Sequence, residues 1–325
     1  MRPHPRHITA ATCTLLLAAC AGAPTSPTNT NSNTAPITLT NCGEKITVTT
    51  PPRRLVTLNQ GATETALALG LAPRMAGTAY LDDTIAPTYK TAYATVPVLA
   101  KEYPSKEQFL AAKPDFAYSA YASAFTDKAV GTRNELTSEG INTYTSPFGC
   151  PKGTPTAEAT FENGWNEIAE IAKIFAVTPT ADALITTQKK HLDEIRTKAT
   201  GKNHTIFWYD SGDKTPTVGA GAGGPHLIMN AVGATNIFDN LPGGWSEASW
   251  EKVVAANPDV IVLADASWNT AEKKKNHLTN DPVLSQLDAV KNNRFITIPF
   301  SESTPGVRLV DGARSVSDQL AQLDK

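Results

Sequence analysis

Histidine and methionine are scarce in this 325-residue sequence, at six and three residues. The histidines beyond the N-terminus, His191, His204, His226 and His277, show no ligand-type spacing, so a free-metal site would have few donors to draw on. The net charge of −2 removes the electrostatic case for nucleic acid or an anionic surface as partner. A permanent membrane span takes about 20 apolar residues, and the apolar run at 8–19 falls short of that. No Gly-x-Ser-x-Gly nucleophile elbow is present, and Ser211 has no His or acid placed to activate it. An exported α/β hydrolase is therefore the distant alternative, and the chain is read as a non-enzyme. No motif demands a cofactor. What remains is a globular balance, 41% hydrophobic and 18% charged, in a chain long enough for two domains.

The N-terminus carries the most specific signal. Arg2 and Arg6 precede the short apolar run, which closes with Leu17-Ala18-Ala19-Cys20. This resembles the bacterial lipobox, and the resemblance implies cleavage before Cys20 and a lipid on its thiol. Residues 1–19 are then a lipoprotein signal peptide. Residues 20–36, built of Thr, Ser, Asn, Pro and Ala without charge, cannot form a core and read as a flexible tether. Export places the protein on the outer face of the cell membrane. Cys13 leaves with the signal and Cys20 takes lipid, so Cys42 and Cys150 remain. In an oxidising compartment they favour a disulfide, with free thiols or paired metal ligands as the alternatives.

Two stretches repeat each other in register: Ser105 to Tyr118, SKEQFLAAKPDFAY, and Ser249 to Val262, SWEKVVAANPDVIV. Each reads as a Ser-capped helix with Glu in its first turn, broken near Pro and followed by an apolar strand. A period this long is domain-sized. Alternating strands and helices flank both copies, such as the strand at 54–58, the helix at 63–69 and the strand at 204–209. A hairpin with its turn at Gly43 precedes the first set. Between the copies, 157–198 is helical in pattern, interrupted only near Pro179. The expectation is an α/β fold: two Rossmann-like lobes with central parallel sheets, at 37–156 and 201–325. A long helix at 157–200, kinked at Pro179, joins them. The glycines of 219–224 match Gly-x-Gly-x-x-Gly but lack the P-loop Lys and run straight into Pro225, a weak nucleotide signal.

Together these features resemble the substrate-binding proteins with a rigid helical backbone that deliver iron-siderophores, haem or cobalamin to ABC importers. The resemblance spans 45–323 and rests on Arg54 to Thr65 (RLVTLNQGATET), the two repeats, and Gly233-Ala234-Thr235-Asn236-Ile237-Phe238 before the second. It implies an ABC permease and its ATPase as partners, with Glu107 and Glu251 docking on permease arginines. A narrower resemblance lies in Asn59 to Glu64, Gly77 to Asp83 and the Cys42/Cys150 pair. These are similar to an actinobacterial subgroup proposed to import a deazaflavin coenzyme precursor.

In open α/β sheets ligands lie beyond the carboxyl ends of the strands. That places Asn59, Gln60, Tyr80, Asp82, Tyr121, Ser146 and Phe148 at the cleft from the first lobe. Tyr209, Asp210, Trp245, Trp268, Phe300 and Glu302 face it from the second. So many aromatics suit a flat organic ligand or a metal chelate held by stacking, whereas Trp208 and Tyr144 read as core. Haem would want an axial His or Tyr, for which His226 and Tyr121 are available. An anionic ligand would need Lys101, Lys214 or Arg308.

Overall fold

The computed structural model describes residues 36–154 and 157–325. The signal segment, Cys13, Cys20 and the tether up to residue 35 lie outside the described residues. No helix among the described residues is long and apolar enough to cross a membrane.

β1 (Ile37–Asn41) and β2 (Glu44–Val48) pair antiparallel around Cys42 and Gly43, whose φ values of 52° and 81° are those of a tight hairpin turn. The first lobe then runs β3 (Leu55–Leu58), α1 (Gln60–Ala68), β4 (Met75–Ala79), α2 (Lys90–Tyr93), β5 (Val98–Ala100), α3 (Lys106–Ala111), β6 (Phe116–Ser119), α4 (Arg133–Ser138) and β7 (Asn142–Thr145). Its sheet has the order β5-β4-β3-β6-β7, every pair parallel. α5 (Phe161–Ile174) and α6 (Thr178–Lys198) follow. The second lobe comprises β8 (Thr205–Ser211), β9 (Thr217–Gly219), α7 (Gly223–Ala231), β10 (Thr235–Asn236), β11 (Trp245–Glu247), α8 (Trp250–Ala256), β12 (Val260–Asp265), α9 (Ala271–Asn280), α10 (Asp288–Lys291), β13 (Phe295–Pro299) and α11 (Leu309–Leu323). Its sheet order is β11-β9-β8-β12-β13.

That second sheet is not wholly parallel. β8, β12 and β13 are parallel, but β9 and β11 add an antiparallel edge. The connection from β8 to β9 is too short for a crossover helix, so the chain can only turn back on itself.

The connector also differs from the kinked helix expected. The break falls at Phe175-Ala176-Val177, where Ala176 takes φ 56°, and Pro179 sits in the first turn of α6, where a missing N–H costs nothing. α5 and α6 form an antiparallel pair: Arg196 lies over the Phe161 ring at 5.9 Å, and Trp165 Nε1 donates to Gln188 Oε1 at 2.8 Å. α5 faces the first sheet, where Glu167 accepts from Tyr118 and Ser146 at 2.5 and 2.8 Å. α6, about 30 Å long at 1.5 Å per residue, continues to the second lobe, where Gln188 Nε2 donates to the Val307 carbonyl at 2.7 Å.

The core follows strand alternation. Phe116 and Tyr118 in the first lobe and Ile206, Trp208, Val260 and Val262 in the second join one cluster, with residues of α5, α6, α7 and α11, that runs between the lobes. Ala117 and, in the second lobe, Phe207, Tyr209, Ile261 and Leu263 point the other way into separate outer clusters. A single apolar core through both lobes opposes their free rotation.

The repeated stretches occupy equivalent places, since β6 lies between β3 and β7 and β12 between β8 and β13. Ser105 and Ser249 cap their helices, accepting from the Gln108 and Lys252 amides. Asp115 accepts from the Arg53 and Arg54 amides at 2.8 and 2.9 Å, and Asp259 from the Thr205 amide at 2.7 Å. In each lobe the repeated Asp thus clamps the start of the neighbouring strand.

Candidate ligand-binding cleft

Two cavities open between the lobes and share Tyr121. The first, about 430 Å³, is apolar. Phe161 and Trp165 come to it from α5, Phe148 from the loop after β7, Leu227 from α7, Trp245 from the β11 edge and Leu309 from α11. The indole of Trp165 is held by its bond to Gln188, so the wall is set by the same residue that ties α6 to the second lobe. Glycines let backbone close the rest. A Cβ at Gly224 would overlap the Ser303 carbonyl oxygen, one at Gly221 that of Asp239, and one at Gly219 would crowd Pro225 and Trp208. The Gly-rich run is therefore a close-packing device rather than a phosphate cradle.

The second cavity, about 510 Å³, is polar and aromatic. Tyr80, with φ 63°, stands edge-on to Tyr103 at 4.6 Å, and across the cleft Trp268 stands edge-on to Phe300 at 5.0 Å. Asn59, Asp82, Glu102, Ser123 and Lys128 complete it. Asn59 Oδ1 accepts from Tyr103 and Ser119, both at 3.0 Å. Asp82 is 5% exposed. Burial, joined by the neighbouring Asp83 and Glu64 charges, pushes its carboxyl up to about 7 against the pull of the Gln60 amide. Burial also raises the Tyr103 and Tyr121 phenols.

Behind this cavity a buried charge cluster joins the lobes. Arg308 lies 2.6 Å from Glu302, 3.6 Å from Glu64 and 3.9 Å from Asp83. Asp83 accepts from the Ser301 amide and hydroxyl at 2.8 and 2.9 Å. Burial drives the Glu64 carboxyl up to about 7, with Arg308 pulling it down. Beside the cluster, a Cβ on Gly61 of α1 would overlap the Pro305 carbonyl oxygen of the second lobe. The seam is closed by backbone contact as well as by charge.

Of the residues expected at the cleft, Asn59, Tyr80, Asp82, Tyr121, Trp268 and Phe300 line the polar cavity, and Tyr121, Phe148 and Trp245 the apolar one. The other expected residues are used elsewhere. Gln60 is fully buried and spent on the 82–84 segment, accepting from the Asp82 and Asp83 amides and donating to Asp83 and the Thr84 carbonyl. Tyr209 points to the outer face of its sheet, stacked on Phe207 at 5.7 Å with Trp250 edge-on at 5.1 Å. Ser146 and Glu302 are likewise consumed, by Glu167 and Arg308, and Asp210 bonds Ser211 at 3.1 Å. Arg308 is spent in the seam, and His226 bonds Asn230 at 2.8 Å rather than lining either cavity. Phe161, Trp165, Tyr103 and the 304–306 loop also line the cavities, from helix faces and distant loops that a strand-end rule does not reach. The paired Phe161 and Trp165, four apart on α5, were the available signal. Among the described residues no group of three or more His, Cys, Asp or Glu side chains could hold a metal ion.

Residues 55–302 match the family described as periplasmic binding protein. An ABC transporter substrate-binding lipoprotein of Bacillus subtilis, YvrC, is 23% identical over 291 residues, covering 88% of this chain and 85% of its own. A periplasmic binding protein of Veillonella parvula is 30% identical with a TM-score of 0.76, over 87% of this chain and 97% of its own. An ABC-type Fe3+-hydroxamate transport protein of Saccharomonospora viridis has the same fold at 23% identity and TM-score 0.73, over 87% and 98%.

Proposed function

This chain belongs to the periplasmic binding protein family, and from that premise we propose that it is an extracytoplasmic solute-binding lipoprotein. It captures an iron-siderophore-like or cofactor-like organic ligand between its lobes and delivers it to an ABC permease and its ATPase. The observation that carries this reading is the aromatic-walled chamber of about 430 Å³ to which both lobes and α5 contribute, the size and lining of a small-molecule site. A lipid on Cys20 would anchor the protein to the membrane. The flat walls of the chamber also suit a planar deazaflavin-type ring, which is the narrower reading. The test is a thermal-shift screen of the purified protein against ferric siderophores, haem, cobalamin and deazaflavins. A true ligand at a hundredfold excess over its Kd stabilises by about 2.7 kcal/mol and raises Tm by about 5 °C. No shift with any of them would sink the import reading.

Glu107 and Glu251 are the proposed contacts with the permease. Among the residues that recur in the two repeats, Ser and Asp have roles in the fold. Both Glu side chains are exposed and form no ion pair among the described residues. The Ser105 side chain holds the Glu107 carboxyl below its usual range, so it stays charged. Reversing both charges, Glu107→Lys with Glu251→Lys, is expected to cut uptake about tenfold or more through like-charge repulsion at the permease. Ligand binding should stay within twofold of wild type; undiminished uptake would refute the docking role.

A further inference from the structure

No side chain among the described residues engages the Asp82 carboxylate, whose one hydrogen-bonding partner there is the Gln60 backbone amide. The backbone of Asp82 is fixed at both ends of the residue: its amide donates to Gln60 at 3.0 Å, and its carbonyl accepts from the Ser267 amide at 3.0 Å. No side chain among the described residues donates to or pairs with its carboxylate, and only the Gln60 amide at the start of α1 opposes its buried charge. The residue is 5% exposed and lines the polar cavity. A buried carboxylate with a single backbone amide for a partner still costs the fold free energy, whereas its neighbour Asp83 is engaged by Ser301, Gln60 and Arg308. The remaining charges on the cavity wall are Glu102 and Lys128, both exposed. The aromatic pairs Tyr80–Tyr103 and Trp268–Phe300 face the cavity from opposite lobes, and aromatic faces attract cations.

From this placement we infer that the ligand carries a positively charged nitrogen, bound by the Asp82 carboxylate between the two aromatic pairs. An uncharged planar portion of the same ligand fills the apolar chamber beyond Tyr121. The inference rests on the solute-binding reading and narrows its ligand class. Anionic chelates are selected against, because Arg308 is locked in the seam with three carboxylates and Lys128, the cation on the cavity wall, is outnumbered there by Asp82 and Glu102.

Three fluorescent probes, each built on a linear tricyclic ring system and differing in charge, separate the possibilities by fluorescence polarisation: cationic proflavine, neutral acridone and anionic fluorescein. Proflavine is expected to bind the purified full-length protein about tenfold more tightly than acridone, the worth of one charge-assisted hydrogen bond, with fluorescein weakest. Asp82→Asn should lower proflavine affinity about tenfold and abolish the preference over acridone. The probe order in the wild-type protein stands as a test even if that variant fails to fold. Equal binding of fluorescein or acridone, an unchanged proflavine affinity in Asp82→Asn, or no binding by any probe would each overturn the inference. If haem or a ferric chelate binds where proflavine does not, only the charge assignment falls; if none of these binds, the solute-binding reading falls with it.

Discussion

Arg308→Met is expected to cost the folded protein about 3–5 kcal/mol at pH 7, the usual loss when one partner of a buried ion cluster is removed. Arg308 is 6% exposed, and its guanidinium is the only cation within 4 Å of Glu64, Asp83 and Glu302 among the described residues. Methionine fills much of the volume but leaves three carboxylates in the seam without a counter-charge. Ser301 and Gln60 would still donate to Asp83, so hydrogen bonding survives where charge balance does not. The loss should depend on pH, and its sign follows from Glu64. Its carboxyl lies at about 7 in the folded protein against an ordinary 4.5. A raised folded pKa contributes stability that is full below 4.5 and is lost as pH rises through about 7. Removing Arg308 takes away the one charge that lowers this pKa, so the variant takes up protons more readily and at higher pH. The stability difference between the two proteins should therefore shrink at pH 5.5 and widen at pH 8. Glu167, also raised to about 7, owes nothing to Arg308 and cancels in that difference, whereas Asp82 feels Arg308 only through Glu64 and Asp83. Urea unfolding at both pH values measures it; an equal loss at the two would mean that packing, not charge, holds the seam.

The repeated stretches show how far residues alone carry a fold. Ser, Pro and Asp recur because each copy needs the same cap, the same helix stop and the same clamp on a neighbouring strand. These are local demands, and a local pattern reveals them. The connector departs from a single kinked helix because helical periodicity is blind to direction. Phe161 with Trp165 and Leu192 with Ile195 each have helical spacing, yet the chain folds back between the two pairs where Ala176 turns left-handed. No residue type at 175–177 announces that conformation, since neither Gly nor Pro occupies the break. The site was half legible for the same reason. Tyr80, Asp82, Tyr121 and Trp268 follow strands whose ends the sheet points into the cleft. Trp165 reaches the cleft only through the α5–α6 reversal, and Tyr209 leaves it through a one-residue change of strand face. Gln60 too follows a strand end, that of β3, but its carboxamide matches the donors and acceptors of the 82–84 segment, and that local match decides its use.

Replacing Cys42 and Cys150 together by serine should cost about 3–5 kcal/mol, making this the other large expected loss. The bridge joins residues 108 positions apart, and in the chain-entropy model a loop of that length constrains the unfolded chain by about 4–5 kcal/mol. The folded side of the balance should change little. Asn41 bonds the Thr145 carbonyl and amide at 2.7 and 2.9 Å, and Arg133 reaches the Asn41 carbonyl at 3.1 Å and Glu44 at 3.2 Å. The β1–β2 hairpin is thus held to β7 without sulfur, and the variant should fold. Because the bridge acts on the unfolded chain, its removal should also raise the urea m value, as an uncrosslinked chain exposes more surface. A fall in midpoint with an unchanged m value, or a loss under about 1 kcal/mol, would show that the bridge constrains the denatured state less than the loop length requires. The same substitution has a consequence at the cleft. Cys150 ends the turn that carries Phe148, a wall of the apolar chamber, and Gly149 beside it packs so closely on the Ala120 carbonyl that a Cβ would overlap it. Without the bridge that turn keeps the Gly149 contact and its hydrogen bond to Ser146 but loses its tie to the hairpin, so the expected loosening is local to the Phe148 wall. Ligand affinity should therefore fall along with stability, and it should fall more for a ligand held by the apolar chamber than for one held at Asp82.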